Sequence, residues 1–334
     1  MKVLILTSDD TCVFTNNMQA YLEKKKHETT RLNISNLVDI SNYFFSKFEI
    51  TSQEFCFYYR GEKRKLSEYD LVWKRRFEGN FLNNALNLRI YNKYPPSIKV
   101  YLQREVNHLA ETILNYIEIL GIPMINNFSE KIHNKINQLH RADFFGLKVP
   151  DFTFTNDKYF ANEFINKNNQ TITKPLSNFG YINDDKSIYS HRTSLLRKNE
   201  ALNMSQIFFP SYFQESIKSD YELKCIYIGG ELLAVKQKKK AKGDPGILDI
   251  KMEYMLNNVV LENYDVKFNI KEKTKKMCES YNIDFCTMDF LVDKDNNYTF
   301  LEINTDGIVS FYSNYIKENT YKVFYKKLVN GKIR

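Results

Sequence analysis

Two periods of apolar residues alternate along the chain. The apolar run Lys2 to Thr7 predicts a short buried strand, and Phe14, Met18, Tyr21 and Leu22 follow at helical spacing. Further strand-like runs lie at Thr30 to Ile34, Glu54 to Tyr59 and Tyr69 to Arg76. After Pro95-Pro96 the stripe Leu102, Val106, Leu109, Ala110, Ile113, Leu114, Ile117 and Leu120 predicts a long helix, with Gly121 as its C-terminal cap. I-P-M-I-N-N then reads as a strand that closes an N-terminal α/β domain over residues 1–127. Ser129 is expected to open the next helix, with Ile132, Ile136, Leu139 and Phe145 inward and Gly146 at its end. Val149 to Thr155, Gln170 to Pro175 and Ser187 to Arg192 read as strands of a small central lobe, residues 128–213. A C-terminal lobe, 214–334, follows the strand F-F-P-S-Y-F-Q-E-S-I. In it Tyr221 to Ile228 and Glu231 to Lys238 are joined by Gly229-Gly230, a two-residue hairpin signal that sets Glu222 opposite Gln237, with Glu222, Lys224 and Ile226 on one face. An amphipathic helix through Ile270, Thr274, Met277, Cys278 and Tyr281 comes next, and a last helix runs roughly from Ser313 to Val329.

Between those helices, Phe285 to Asp293 and Tyr298 to Asn304 flank the polar cluster D-K-D-N-N, which reads as a β-hairpin. Alternation puts Asp289 on a face with Thr287 and Leu291, and Glu302 with Asn304 and Phe300. A loop of Lys294 to Asn297 sets Asp289 opposite Glu302, whereas a slip of one residue would put them on opposite faces. Three oxygen ligands then converge, Asp289, Glu302 and Asn304, a donor set suited to Mg²⁺ shared with nucleotide phosphates. Any one of the three alone reads as a polar strand end. Together they point to a cation, because unpaired buried carboxylates are costly.

Composition narrows the class. With 334 residues, 43% hydrophobic and 15% aromatic, the chain is a folded protein with room for roughly two or three domains. Five scattered cysteines form no C-x-x-C pair, and five histidines show no zinc spacing, so a reducing, cytoplasmic compartment is the default. The N-terminal apolar run is too short for a signal peptide, and no run approaches the ~20 residues of a membrane span. A net charge of +8 suits an anionic partner such as a nucleotide, an acidic peptide or nucleic acid, although its dispersal among acids also serves solubility.

Several cations are candidates for chemistry. Y-D-L-V-W-K-R-R ends in Arg75 and Arg76, either a strand end fixed by an acidic neighbour or a guanidinium fork for a peptide carboxylate; spacing alone favours the former. Lys135 lies beside an apolar stripe, where a lysine ordinarily snorkels. Lys174 ends a strand just before S-N-F-G-Y, where its ammonium and the backbone N–H groups of a loop with Ser177 and Gly180 can meet phosphate. K-Q-K-K-K-A-K-G-D-P-G, from Lys236, is the kind of run that is usually solvated, and is read here as a basic loop near a triphosphate.

Lys135, Lys174, F-Q-E-S-I at 213–217, Y-E-L-K at 221–224, M-D-F at 288–290 and L-E-I-N at 301–304 stand in the order of the ATP-grasp ligases, and this end-to-end order is what the chain resembles. L-V-W-K-R-R resembles the v-W-y-R-R of the peptide-maturing members, the microviridin-type or graspetide ligases and their grasp-with-spasm relatives. The resemblance implies an ATP-grasp fold of α/β lobes behind an N-terminal α/β domain. It makes Lys135 and Lys174 phosphate contacts, Gln214, Glu215, Ser216 and Ile217 the adenine hinge, Glu222 a ribose contact, and Asp289, Glu302 and Asn304 ligands of two Mg²⁺ ions. Lys174, Lys224 and Lys236 are then catalytic cations, and Arg75, Arg76 and Lys238 bind substrate. The chain departs from the family pattern at Lys224, where an Arg is usual, at G-D-P-G-I-L-D-I-K, where D-W-R or D-F-R is usual, and at N-T-D-G-I, where N-P-x-G-Q is usual. The ATP half is therefore better matched than the acceptor half. The implied activity is ATP-dependent activation of Asp or Glu side chains of a ribosomal precursor peptide, bound through a leader segment, and closure of ester or amide crosslinks. The alternatives are a RimK-type ligase adding a free amino acid and a nucleotide-dependent scaffold. No nucleic acid or membrane partner is expected, and a homodimer is possible.

Overall fold

A computed structural model describes residues 1–8, 11–38, 47–52, 54–77, 95–128, 130–176, 182–184, 187–189, 193–240 and 258–329. Ser129, the loop with Ser177 and Gly180, and the Gly-Pro segment 243–246 lie outside the described residues.

The first part of the chain is built on a parallel sheet. Strands β1 (Lys2–Thr7), β2 (Glu28–Asn33), β6 (Leu71–Lys74) and β7 (Met124–Ile125) lie in the order β2-β1-β6-β7. Helices α1 (Val13–Lys24), α2 (Ile34–Val38) and α3 (Pro96–Ile119) accompany it, with a small antiparallel sheet of β3 (Phe48–Ile50), β4 (Phe55–Tyr59) and β5 (Glu62–Lys65). Val3, Ile5, Leu71 and Trp73 enter one core and Leu4, Leu6 and Val72 the other, with Val106, Ala110, Ile113 and Ile117 of α3. Burial on both faces is why this strand reads as an unbroken apolar run. Gly121 closes α3 with φ of +66°, the left-handed turn expected of its cap.

A smaller antiparallel sheet follows. Strands β8 (Phe152–Asp157), β9 (Thr171–Thr173), β12 (Ser194–Leu196) and β13 (Ile207–Glu215) take the order β12-β9-β13-β8, and β10 (Ile182–Asp184) pairs with β11 (Ser187–Tyr189). Helices α4 (Lys135–Phe144), α5 (Lys158–Lys167) and α6 (Lys198–Leu202) belong to this region. The helix expected from Ser129 is instead a 3-10 turn, Glu130–His133, and then α4. Asn134 caps α4, its Oδ1 accepting from the N–H groups of Ile136 and Asn137, so Lys135 becomes the first helical residue and not a member of a helix flank.

The largest sheet is antiparallel, in the order β16-β15-β14-β17-β18, from β14 (Tyr221–Ile228), β15 (Glu231–Lys239), β16 (Val259–Tyr264), β17 (Phe285–Val292) and β18 (Tyr298–Asn304). Gly229 and Gly230 join β14 to β15 with φ of +48° and +95°, the two positive values that a tight hairpin turn of this hand demands. One face carries Leu223, Cys225, Met288, Phe290, Phe300 and Ile303 against α4 and α7 (Phe268–Glu279). The other carries Ile226, Ile228, Val235 and Phe285 against the first sheet, α1 and α8 (Thr320–Val329). Phe14 stacks on Phe285 at 5.2 Å, and Phe324 meets Phe285 edge-on at 5.3 Å. The last helix is shorter than expected. Tyr312–Tyr315 is a separate 3-10 turn, and Asn319 restarts the chain as α8, its Oδ1 accepting from the Lys322 N–H at 3.0 Å. Among the described residues no helix is long and apolar enough to cross a membrane.

Candidate active site

The hairpin β17/β18 closes one residue tighter than its loop predicts, at Val292 opposite Tyr298, and then gains a residue back. Phe290 pairs with Phe300, but Asp289 pairs with Glu302, which leaves Leu301 as a β-bulge. The bulge decides which side chains reach the site. Phe300 stays in the core, 5.5 Å from the Phe290 ring, while Glu302 and Asn304 turn to the face of Asp289 and Thr287. The expectation that Phe300 shares a face with Glu302 is thus corrected, because strict alternation fails at Leu301.

Cations surround the two carboxylates. Lys224 is the register partner of Asp289 across β14 and β17, and its Nζ lies 2.7 Å from Oδ1 and 2.9 Å from Oδ2. Lys135 Nζ lies 3.5 Å from Glu302 Oε2 and donates to the Pro175 carbonyl at 3.3 Å. The Asn304 amide nitrogen donates to Glu302 Oε1 at 2.8 Å and faces Asp289 Oδ2 at 3.5 Å. Lys174, just past β9, sits over the Tyr212 ring at 5.7 Å. Burial would raise the Glu302 carboxyl, but Lys135, the Asn304 amide, Lys174 and Lys224 outweigh it and hold it down to about 2. Burial pushes Lys174 down to about 8, with Lys135 adding to the fall and Glu302 and Asp289 opposing it. For Lys224 burial also works against the charge, yet the contact with Asp289 wins and raises its pKa. Glu222 faces Gln237, as expected, on the Lys224 side of the sheet, and Tyr312 donates to Gln237 Oε1 at 3.2 Å.

Other predicted residues stand elsewhere. Lys236 is paired with Leu223 and so faces away from Lys224; it lies over the Tyr221 ring at 4.7 Å and 3.9 Å from Glu262. Lys238 faces the same way and grips both Asp220 oxygens, at 3.0 and 2.9 Å. Gln214 and Glu215 are not at a strand edge, since β13 is hydrogen-bonded to β8 on one side and β9 on the other. The Glu215 N–H donates to Asp151 O and the Ser216 N–H to Gln170 O, at 2.9 and 3.0 Å; Ile217 follows this last tie.

Arg75 and Arg76 are a clamp within the fold. Arg75, 1% exposed, donates to the carbonyls of Thr305 and Gly307 at 2.7 and 2.6 Å. Arg76 donates to Asp306 O from Nη2 and Nε at 2.7 and 3.2 Å, and its N–H to Asp306 Oδ1 at 3.0 Å. Asp306 is the acidic neighbour of the structural reading, and a guanidinium so enclosed is unavailable to a peptide. The loop they hold follows Asn304 directly. It passes so close to β17 that a Cβ on Gly307 would lie 1.8 Å from Thr287 Oγ1. Arg75→Ala leaves two buried carbonyls unpaired, at about 1–3 kcal/mol each. We expect the thermal unfolding midpoint to fall by several degrees and turnover with it. A variant of wild-type stability that merely needs more peptide would restore the substrate-binding role.

Two supports had no pattern to announce them. Gln138 of α4 donates to Ile303 O at 3.0 Å and accepts from its N–H at 2.8 Å, which fixes β18 between Glu302 and Asn304. Asn126, at φ of +64°, donates to Phe285 O at 2.8 Å and accepts from the Phe285 N–H at 2.8 Å, which anchors the start of β17. A glutamine buried beside Leu139 and an asparagine just after a strand are the only traces in the sequence.

No protein-family model and no curated protein matches the sequence. Solved structures do. The macrocyclase MdnC, bound with precursor peptide MdnA, from Microcystis aeruginosa MRC is 20% identical with a TM-score of 0.77, over 99% of this chain and 100% of that one. A RiPP-associated ATP-grasp ligase of Chryseobacterium gregarium, in complex with ADP and a leader and core peptide, is 20% identical with a TM-score of 0.80, over 100% and 97%. The chain has the ATP-grasp fold. A third ATP-grasp structure, the ligase PsnB with a phosphomimetic variant of a minimal precursor, Mg and ADP, is 15% identical with a TM-score of 0.73, over 99% of this chain and 98% of that one.

Proposed function

We propose that this ATP-grasp chain is a ligase that activates Asp or Glu side chains of a ribosomal precursor peptide as acyl phosphates and closes ester or amide crosslinks within it. One observation carries the reading. Asp289, Glu302 and Asn304 share the face of one hairpin and meet Lys135, Lys174 and Lys224 from three other elements, in a chain whose fold matches ligases solved with precursor peptides along its whole length.

The donor set fits Mg²⁺. Two carboxylates and a carboxamide are hard oxygen donors, too few for a closed cage, so water and phosphate complete the coordination. Among the described residues no group of three or more His, Cys, Asp or Glu offers another metal centre. Asp289, Glu302 and Asn304, with its amide turned to present Oδ1, would hold two such ions, which neutralise charge building on the phosphates.

ATP is a substrate. The peptide carboxylate attacks the γ-phosphorus, the bond to the bridging oxygen breaks, and ADP leaves. A peptide hydroxyl or amine then attacks the acyl carbon and expels inorganic phosphate, releasing a proton. Lys174 and Lys135 bring positive charge to the phosphates, and Lys224 brings a third cation from β14. Glu222, on that face, is assigned to the ribose, and the backbone at Ile217 to adenine. The residues work by positioning and electrostatics, with no covalent nucleophile of the protein.

Each crosslink removes the elements of one water from the peptide. Incubated with ATP, Mg²⁺ and a candidate precursor peptide rich in Ser/Thr and Asp/Glu, the protein should lower the peptide mass in whole-water steps. A gain in mass would instead identify a ligase of free amino acids. Nucleotide binding with no mass change would leave a scaffold.

A further inference from the structure

We propose that in the nucleotide-free protein Lys224, Lys135 and the Asn304 amide occupy the place of the metal, so that nucleotide and divalent cation bind with strong positive coupling. This rests on the reading of Asp289, Glu302 and Asn304 as metal ligands and adds how that site is regulated.

Three donors converge on the two carboxylates. Lys224 touches both Asp289 oxygens, Lys135 faces one Glu302 oxygen, and the Asn304 nitrogen takes the other and leans toward Asp289. These are the oxygens a divalent cation would need. With Lys174 beside them, three lysines among the described residues face these two carboxylates. A metal ion entering alone therefore has to displace lysines while adding positive charge beside them. In a partly buried site that repulsion is not screened as it is in water.

Phosphates reverse the balance. An ammonium on a flexible four-carbon stem can turn from a carboxylate to a phosphate oxygen without backbone movement. Once the nucleotide has drawn Lys224 and Lys135 away, Asp289 and Glu302 are left as uncompensated buried anions, the state that a cation relieves most. By linkage the metal must then strengthen nucleotide binding by the same factor. Permanent structural ion pairs would have no such consequence.

The two roles give Lys224→Met effects of opposite sign. Without nucleotide, the variant should bind Mn²⁺ at least about tenfold more tightly than wild type, read from the free-ion EPR signal, since a cation a few ångströms from the ligands is gone. In EDTA it should bind ADP at least about tenfold more weakly, because a charged phosphate contact is lost. If Mn²⁺ affinity does not rise, or metal-free ADP affinity is unchanged, the exchange is wrong. Should Lys224→Met fail to fold, Lys135→Met carries the same pair of measurements. Adding Asp289→Asn to either variant should abolish the gained Mn²⁺ binding. Retention of it would mean that the ion sits elsewhere and would overturn the metal assignment itself.

Discussion

Glu302→Gln should fold and bind nucleotide yet lose at least about 100-fold of its turnover, since even partners outside the ligand shell are worth 10–100-fold in metal affinity. The side chain is isosteric and keeps one oxygen, so the change is one of charge. Burial works against an ionised Glu302, but the surrounding lysines and the Asn304 amide keep its pKa at about 2, so wild type carries the full negative charge at any working pH. In the variant Lys135, Lys174 and Lys224 face Asp289 alone. A cation is then both less needed and less well held. Asp289→Asn should behave alike, because Asp289 stands opposite Glu302 and pairs with Lys224. The measurement is phosphate release with ATP, Mg²⁺ and peptide, alongside the unfolding midpoint. Wild-type turnover in Glu302→Gln would remove this hairpin from the chemistry.

What could be read from the sequence was what depends on local period. Most strands of the parallel sheet, the central sheet and the large sheet, the Gly229-Gly230 turn and the pairing of Glu222 with Gln237 follow from alternation and turn chemistry alone, whereas β3, β5, β10, β12 and β16 were not read. Glu302 stands opposite Asp289 as the sequence suggested, but the face of Phe300 was not legible, because an added residue at Leu301 reverses parity and carries no mark in composition. The pairing of Glu222 with Gln237 already turned Lys236 and Lys238 away from Lys224, although their abundance in one basic run argued for the site. Arg75 and Arg76 were visible as a motif, but their partners lie 230 residues further on, and only the docking of the first sheet on the large one brings them together. That Gln214 and Glu215 lie between two strands was hidden for the same reason: a strand read singly does not disclose that it has neighbours on both sides.

Lys174→Met should weaken metal-free ADP binding by roughly 10–100-fold, the worth of a hydrogen bond to a charged partner, and should also flatten its pH dependence. Burial brings the Lys174 pKa down to about 8 in the free protein, so the ammonium is present at pH 7 and largely lost at pH 9. Phosphate favours the charged form, and above the free pKa binding must therefore take up a proton. Affinity then falls by up to tenfold per pH unit. The sign is fixed: ADP binds tightest below pH 8 and progressively less well above it. Lys224 does not produce this slope, because Asp289 raises its pKa. The nucleotide does not either, as a terminal phosphate titrates near 6. Lys174→Arg keeps its charge across the window and should bind equally at pH 7.5 and 9, whereas Lys174→Met should be weak and flat. Calorimetry in EDTA over pH 7 to 9.5 reads all three proteins. A wild-type profile with no slope, or the same slope in Lys174→Met, would take Lys174 away from the phosphates and leave it a half-buried lysine resting on Tyr212.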